Sequence, residues 1–227
     1  MDNIEFDFFE EQNIPKKQEI PHTNEADATK LSKRAEKAKN TAMKKTVLAY
    51  LHDFVFWLVG ILLVFMLIFH VVVVSGPSMQ TTLMNGDCLL LISNIFYREQ
   101  KNGDIIVASK DSFKNGEPII KRVIATEGQV VDIDFTAGVV FVDGKQLDEP
   151  YVNTPTNLSE GIRFPLTVED GCVFVMGDNR NDSKDSRSTE IGQIDRREII
   201  GKAIFILIPG ADANTGARQF KRIGAVS

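Results

Sequence analysis

The sequence predicts a mostly β chain: an antiparallel sheet or barrel-like domain preceded by one transmembrane helix. Three observations carry this. Phe54–Val74 is a run of 21 residues without a charge. Beyond it, short Val- and Ile-rich runs alternate with Gly, Pro, Asn and Asp, the punctuation of strands and turns. From residue 75 onward no helical period of useful length appears.

Composition sets the outer bounds. At 227 residues, 43% hydrophobic and 25% charged, the chain is too apolar to be wholly disordered and too mixed for a polytopic membrane protein. A formal charge of −5 argues against nucleic acid as a partner, which would need a basic face. All three histidines (His22, His52, His70) precede residue 71. The region beyond therefore cannot build a Ser-His-Asp triad, a Cys-His pair or a His-based zinc site. No metal and no cofactor is implied.

In chain order, residues 1–46 read as a cytoplasmic tail, acidic and then basic. The first 29 residues are polar, with eight acids before residue 28, and are expected to stay disordered. From residue 28 the sign reverses: Lys30, Lys33, Arg34, Lys37, Lys39, Lys44 and Lys45 face only Glu36, on a stretch of good helix formers. Residues 47–74 are expected to form a transmembrane signal-anchor helix, since about 20 apolar residues cross a hydrocarbon core. Its uniformly apolar faces argue against a soluble core helix, and Tyr50 and Trp57 sit where interfacial aromatics are favoured. Lysines upstream place the N-terminus inside, giving a single-pass protein with membrane lipid around its span. Residues 75–227 then form an extracytoplasmic domain. Its expected strands are 88–92, 104–109, 118–126, 129–134, 138–147, 171–178 and 198–208, with Asp143-Gly144 as a two-residue hairpin turn. Cys88 and Cys172 lie in such runs. A disulfide and two buried free thiols both remain open.

Three segments carry chemistry that needs no histidine. In Ser75-Gly76-Pro77-Ser78-Met79, Gly76 and Pro77 fix a turn that would present the Ser78 hydroxyl with amide donors nearby; the plainer reading is a turn ending the membrane helix. In Ile119-Ile120-Lys121-Arg122-Val123, alternation puts Lys121 on the face of Ile119 and Val123, with Arg122 opposite. Burial of that face would disfavour the ammonium form and make Lys121 a base; a solvated strand is the alternative. The loop Gly177–Arg187 follows an apolar strand and mixes Asp178, Asp182 and Asp185 with Arg180, Lys184 and Arg187, which suits a hydrogen-bonded network better than a calcium site.

Taken together, these residues resemble the type I signal peptidases, membrane-bound serine proteases that remove signal peptides from exported proteins. The order is a nucleophile box after the membrane span, Lys-Arg in an apolar strand, then GDNR and S-x-D-S-R. The resemblance implies Ser78 as nucleophile and Lys121 as general base. It makes Ser183 the hydroxyl that orients the lysine amine, and Asp185 and Arg187 a supporting ion pair. The Ser78 backbone N–H would serve the oxyanion hole; Gly76 stands where some relatives carry a hydroxyl, so the second donor is left open. The implied partners are signal peptides of secreted preproteins, cut at the outer face of the cell membrane after small residues. Thr81 replaces a family proline, and Ala125-Thr126-Glu127-Gly128-Gln129 replaces a G-x-P-G-D pattern. A housekeeping and a specialised paralogue both fit. The rival classes are a non-enzymatic anchored β-domain and a self-cleaving Ser-Lys repressor, the latter wanting a DNA-binding region where the span lies.

Overall fold

The structure is a computed structural model that describes residues 25–212 and 215–226. The acidic tail expected over the first residues lies outside this range up to residue 24. Contacts divide the chain after Leu58 into two compact units.

Helix α1 runs from Glu25 to Ile68, 44 residues or about 66 Å at 1.5 Å per residue. Within its Thr29–Ile68 portion an 18-residue stretch reaches a mean hydropathy of 2.4, and none of that stretch is buried. The helix thus absorbs both the lysine-rich run and most of the uncharged run. It stops earlier than expected, however. Phe69–Val73 is not helix but strand β1, paired antiparallel with β2 (Cys88–Ser93) from Phe69↔Ile92 to Val73↔Cys88. The expected boundary at residue 74 is corrected to Ile68. Apolarity is common to both segments; what changes is branching at Cβ. Val71–Val74 resists helical packing at χ1 and suits a pleated sheet, and β2 supplies partners for its backbone.

The remaining strands are β3 (Ile105–Ala108), β4 (Ile119–Thr126), β5 (Val130–Asp134), β6 (Val139–Val142), β7 (Lys145–Gln146), β8 (Leu166–Thr167), β9 (Cys172–Met176), β10 (Ile194–Asp195), β11 (Ile199–Ile208) and β12 (Gly224–Ala225). They form two antiparallel sheets. The larger has the order β1-β2-β11-β3-β4-β9-β10 with β12 added on β11; the smaller is β7-β6-β5-β8. The expected strands are all present, and β6 and β7 are joined at Asp143-Gly144, both with positive φ (52° and 74°) as such a turn requires.

The core falls into three clusters, of which one lies between the two sheets. Ile124, Val131, Val140, Phe174 and Met176 close the space under the smaller sheet, while Leu89, Leu91, Val107 and Ala203 pack under the larger. Strand β4 is central and buried along almost its whole length. Cys88 and Cys172 are free thiols. They sit on β2 and β9, four strand spacings apart in the sheet. At about 4.8 Å per spacing that is far beyond the reach of a disulfide.

Candidate active site

Lys121 sits where β4 is flanked by β3 and β9, opposite Ile106 in the ladder. The side chain is only 5% exposed. Burial of this face, the condition that the sequence could only state, is met. The amine Nζ lies 2.8 Å from Ser78 Oγ and donates to the Ile120 carbonyl at 3.1 Å.

Ser78 stands on the loop that follows β1. Gly76 enters this loop at φ +94°, a conformation that side chains disfavour, and its N–H donates to Asn85 Oδ1 at 3.0 Å. A hydroxyl-bearing residue there would be strained, so this backbone has no counterpart of the family's side-chain donor. The loop folds on itself through Gln80 N–H to the Pro77 carbonyl (3.0 Å) and Leu83 N–H to the Met79 carbonyl (2.8 Å). Met79 and Leu83 are buried in the core, so the turn that presents Ser78 is anchored from below. Ser78 and Lys121 border a cleft of about 410 Å³ that Val72, Val74, Phe113 and Ile120 also line.

The loop after β9 closes the other side. Asn179 N–H donates to the Ser78 carbonyl at 3.0 Å, and Asn179 Nδ2 to the Pro77 carbonyl at 3.2 Å. Gly177 permits this approach: a Cβ there would fall 2.6 Å from the Ser78 carbonyl oxygen and 2.2 Å from Ser183 Oγ. Asp185 and Arg187 form the expected pair, fully buried, with Nε–Oδ1 and Nη2–Oδ2 both at 2.8 Å. Asp185 also accepts the Gly177 N–H (2.9 Å), and Arg187 donates to the Arg180 carbonyl (2.7 Å). The pair therefore shapes the loop that supports Ser78 and does not touch the amine.

Ser183 departs from expectation. Its Oγ is buried and makes no hydrogen bond, so the anticipated bond to the Lys121 amine is not formed. The hydroxyl packs against Gly177, and the amine is directed to Ser78 Oγ and the Ile120 carbonyl.

Arg122, read only as the residue opposite Lys121, turns out to organise a second buried network. Its Nε and Nη2 grip the Asp178 carboxylate at 2.9 Å each, and Nη1 donates to the Gly103 carbonyl at 2.9 Å. Thr82 Oγ1 donates to the same carboxylate at 2.5 Å, tying the Ser78 loop to it. The guanidinium lies 3.9 Å from the centre of the Tyr151 ring, and burial, then Glu149, pushes that phenol well above its ordinary value. Arg180 is buried and bound by Glu149 and Thr156. A signal for the first network existed: an arginine inside an apolar strand requires a carboxylate somewhere in the fold. Which carboxylate was not readable, because Asp178 is 56 residues away. Among the described residues no group of three or more His, Cys, Asp or Glu side chains is placed to hold a metal ion.

Comparison with known proteins follows the same outline. A family model described as signal peptidase, peptidase S26, matches residues 47–208. Signal peptidase I of Bacillus licheniformis is 31% identical over 179 residues, covering 75% of this chain and 94% of its own. Signal peptidase I S of Bacillus subtilis is 31% identical over 182 residues, 76% of this chain and 95% of its own. A probable signal peptidase I-1 of Synechocystis is 38% identical over 147 residues, 61% and 70%.

Proposed function

The chain belongs to the signal peptidase family, peptidase S26, as a type I signal peptidase and hence a serine peptidase that removes signal peptides from preproteins; from that premise we propose that Ser78 is its nucleophile and Lys121 its general base. The observation that carries this is the 2.8 Å approach of Nζ to Oγ on a strand where the lysine is 5% exposed. Burial disfavours an ammonium ion, and a neutral amine beside a hydroxyl is a competent proton acceptor.

The steps follow from that contact. The Lys121 amine takes the Ser78 proton as Oγ attacks the scissile carbonyl carbon, and the Ser78 backbone N–H stabilises the developing oxyanion. The tetrahedral intermediate collapses with breakage of the C–N bond, and Lys121 returns the proton to the departing amine. The signal peptide is left as an ester on Ser78. Lys121 then deprotonates a water, which hydrolyses the ester and restores the hydroxyl. The apolar side chains of Val72, Val74 and Ile120 line the cleft and would receive the small residues before the cut. Strand β1, an end strand of the larger sheet, offers an edge on which an extended peptide gains main-chain hydrogen bonds.

In this reading α1 crosses the membrane with the lysine-rich residues up to 46 inside, and the β-domain lies outside. The helix ends at Ile68, so Ser78 follows ten residues later, with β1 between. The five residues of β1 alone span about 17 Å. The active centre is therefore set off from the end of the span by a strand, and the cleavage junction of a substrate must reach along it.

The test uses detergent-solubilised full-length protein and a preprotein, with product masses read by mass spectrometry. Wild type should cut at the signal junction, and neither Ser78→Ala nor Lys121→Met should do so. Undiminished cleavage by either variant rejects the dyad.

A further inference from the structure

Residues 209–212 and 215–226 lie beyond the stretch matched by the family model, yet they return to the loop that carries Ser78. The contact centres on Asp87, which is fully buried. Backbone bonds around it close the base of the loop: Val74 N–H donates to the Asp87 carbonyl and Gly86 N–H to the Val74 carbonyl, both at 2.8 Å. Its carboxylate accepts the Met84 N–H (2.7 Å), the Gly210 N–H (2.7 Å), and Arg222 Nη1 and Nη2 at 2.9 and 2.6 Å. The approach leaves no room for side chains, since a Cβ on Gly210 would fall 2.1 Å from the Asn85 carbonyl oxygen.

Arg222 does more than neutralise Asp87. Its Nη2 also donates to the Thr82 carbonyl at 3.2 Å. Thr82 is the residue whose hydroxyl reaches Asp178, and Asp178 holds Arg122, the neighbour of Lys121. One line of polar contacts thus runs from the C-terminal segment through the Ser78 loop to the strand of the lysine. The segment itself is fixed by β12 pairing with β11 and by Val226 packing on the cluster that contains Met79 and Leu83.

We infer that the C-terminal segment is a strap that sets the Ser78–Lys121 distance, with Arg222 as its positioning residue acting through Asp87 and Thr82. The inference rests on the proposed dyad. Arg222 touches neither reacting atom. It sets where the Ser78 loop stands against β4, and a shift of about 1 Å between nucleophile and base can cost on the order of 100-fold in rate. Only a forked cation can hold the Asp87 carboxylate and the Thr82 carbonyl together, so lysine is a partial substitute.

The experiment measures steady-state cleavage of a preprotein by the full-length protein in detergent. Arg222→Ala should lower kcat about tenfold or more while KM stays within about twofold, and Arg222→Lys should recover part of the loss. Ethylguanidinium added to Arg222→Ala should raise its rate. Lys221→Ala, an exposed neighbour outside these contacts, should match wild type. Thermal melts show which variants fold; should Arg222→Ala not fold, Arg222→Lys and Asp87→Asn decide the matter by their kcat. A folded Arg222 variant with wild-type kcat, a loss confined to KM, or an equal loss in Lys221→Ala overturns the strap. Ser78→Ala, run in parallel, separates the two ideas: cleavage by that variant counts against the dyad, whereas a dead Ser78→Ala beside a fully active Arg222→Lys counts against the strap alone.

Discussion

Lys121 and Ser78 meet at 2.8 Å, but the two regions that bring them there are built differently. Strand β4 is central, hydrogen-bonded on both sides and buried at six consecutive positions. The Ser78 loop follows β1, an end strand whose Val71 and Val73 remain exposed, and it holds its shape by polar contacts to Asn179, Asp178, Asn85 and Arg222. Lys121 is placed by core packing, whereas Ser78 relies mainly on hydrogen bonds above the buried Met79 and Leu83. Core packing tolerates loss of a polar group and hydrogen-bonded loops do not, so the two halves should answer to different substitutions.

The largest effect is expected from Lys121→Met. Methionine fills the same space without a buried polar head, so the melting temperature should hold or rise while cleavage falls on the order of 1,000-fold or more. A variant that unfolds would show that the amine itself, not the packing around it, holds β4. Asp178→Asn comes next. It leaves the Arg122 guanidinium buried without its counter-charge, which costs about 3–5 kcal/mol and should appear in denaturant titrations as a lower midpoint. Because Thr82 then bonds an uncharged amide in place of a carboxylate, its hold on the Ser78 loop weakens and activity in the folded fraction should fall as well. Gly177→Ala is smaller. The added methyl collides with Ser183 Oγ and with the Ser78 carbonyl oxygen, so kcat should drop about tenfold with a modest loss of stability.

The smallest effect concerns Glu160, beside the Asp185–Arg187 pair. Burial, followed by the charge of Asp185, pushes its carboxyl above the ordinary value, and its Oε2 is buried without a partner. A carboxyl raised in the folded state supports stability at low pH, and that support disappears as pH rises through the folded value. Glu160→Gln should therefore raise the melting temperature by about 1 °C at pH 7, and the gap should close below about pH 4. A gap that grows on acidification would contradict the sign.

Much of this was legible in the sequence. Period and turn residues located the strands, because each strand's apolar content and the Gly, Asn and Asp between strands are local properties. Ser78, Lys121 and the Asp185–Arg187 pair were placed by their motifs, and the structure puts the first two in contact. Three features were not legible. The change from helix to strand at Phe69 occurs inside one apolar run, where hydropathy is blind and only Cβ branching gives a sign. The Arg122–Asp178 pair joins residues distant in the chain. The role of Arg222 was invisible because its segment is polar and its partner Asp87 reads as an ordinary turn residue; only the fold reveals that this aspartate is buried and needs a cation.

The proposed dyad requires the amine facing Ser78 to be uncharged when the enzyme works. It is tested most directly by labelling lysine side chains with 15N and following their titration by NMR in the solubilised protein, with Lys121→Met to assign the signal. The exposed lysines of α1 provide the reference within the same sample. Lys121 is expected to lose its proton well before they do, with cleavage rising over the same pH interval. A Lys121 signal that titrates together with the α1 lysines, while cleavage is already maximal at lower pH, would contradict it.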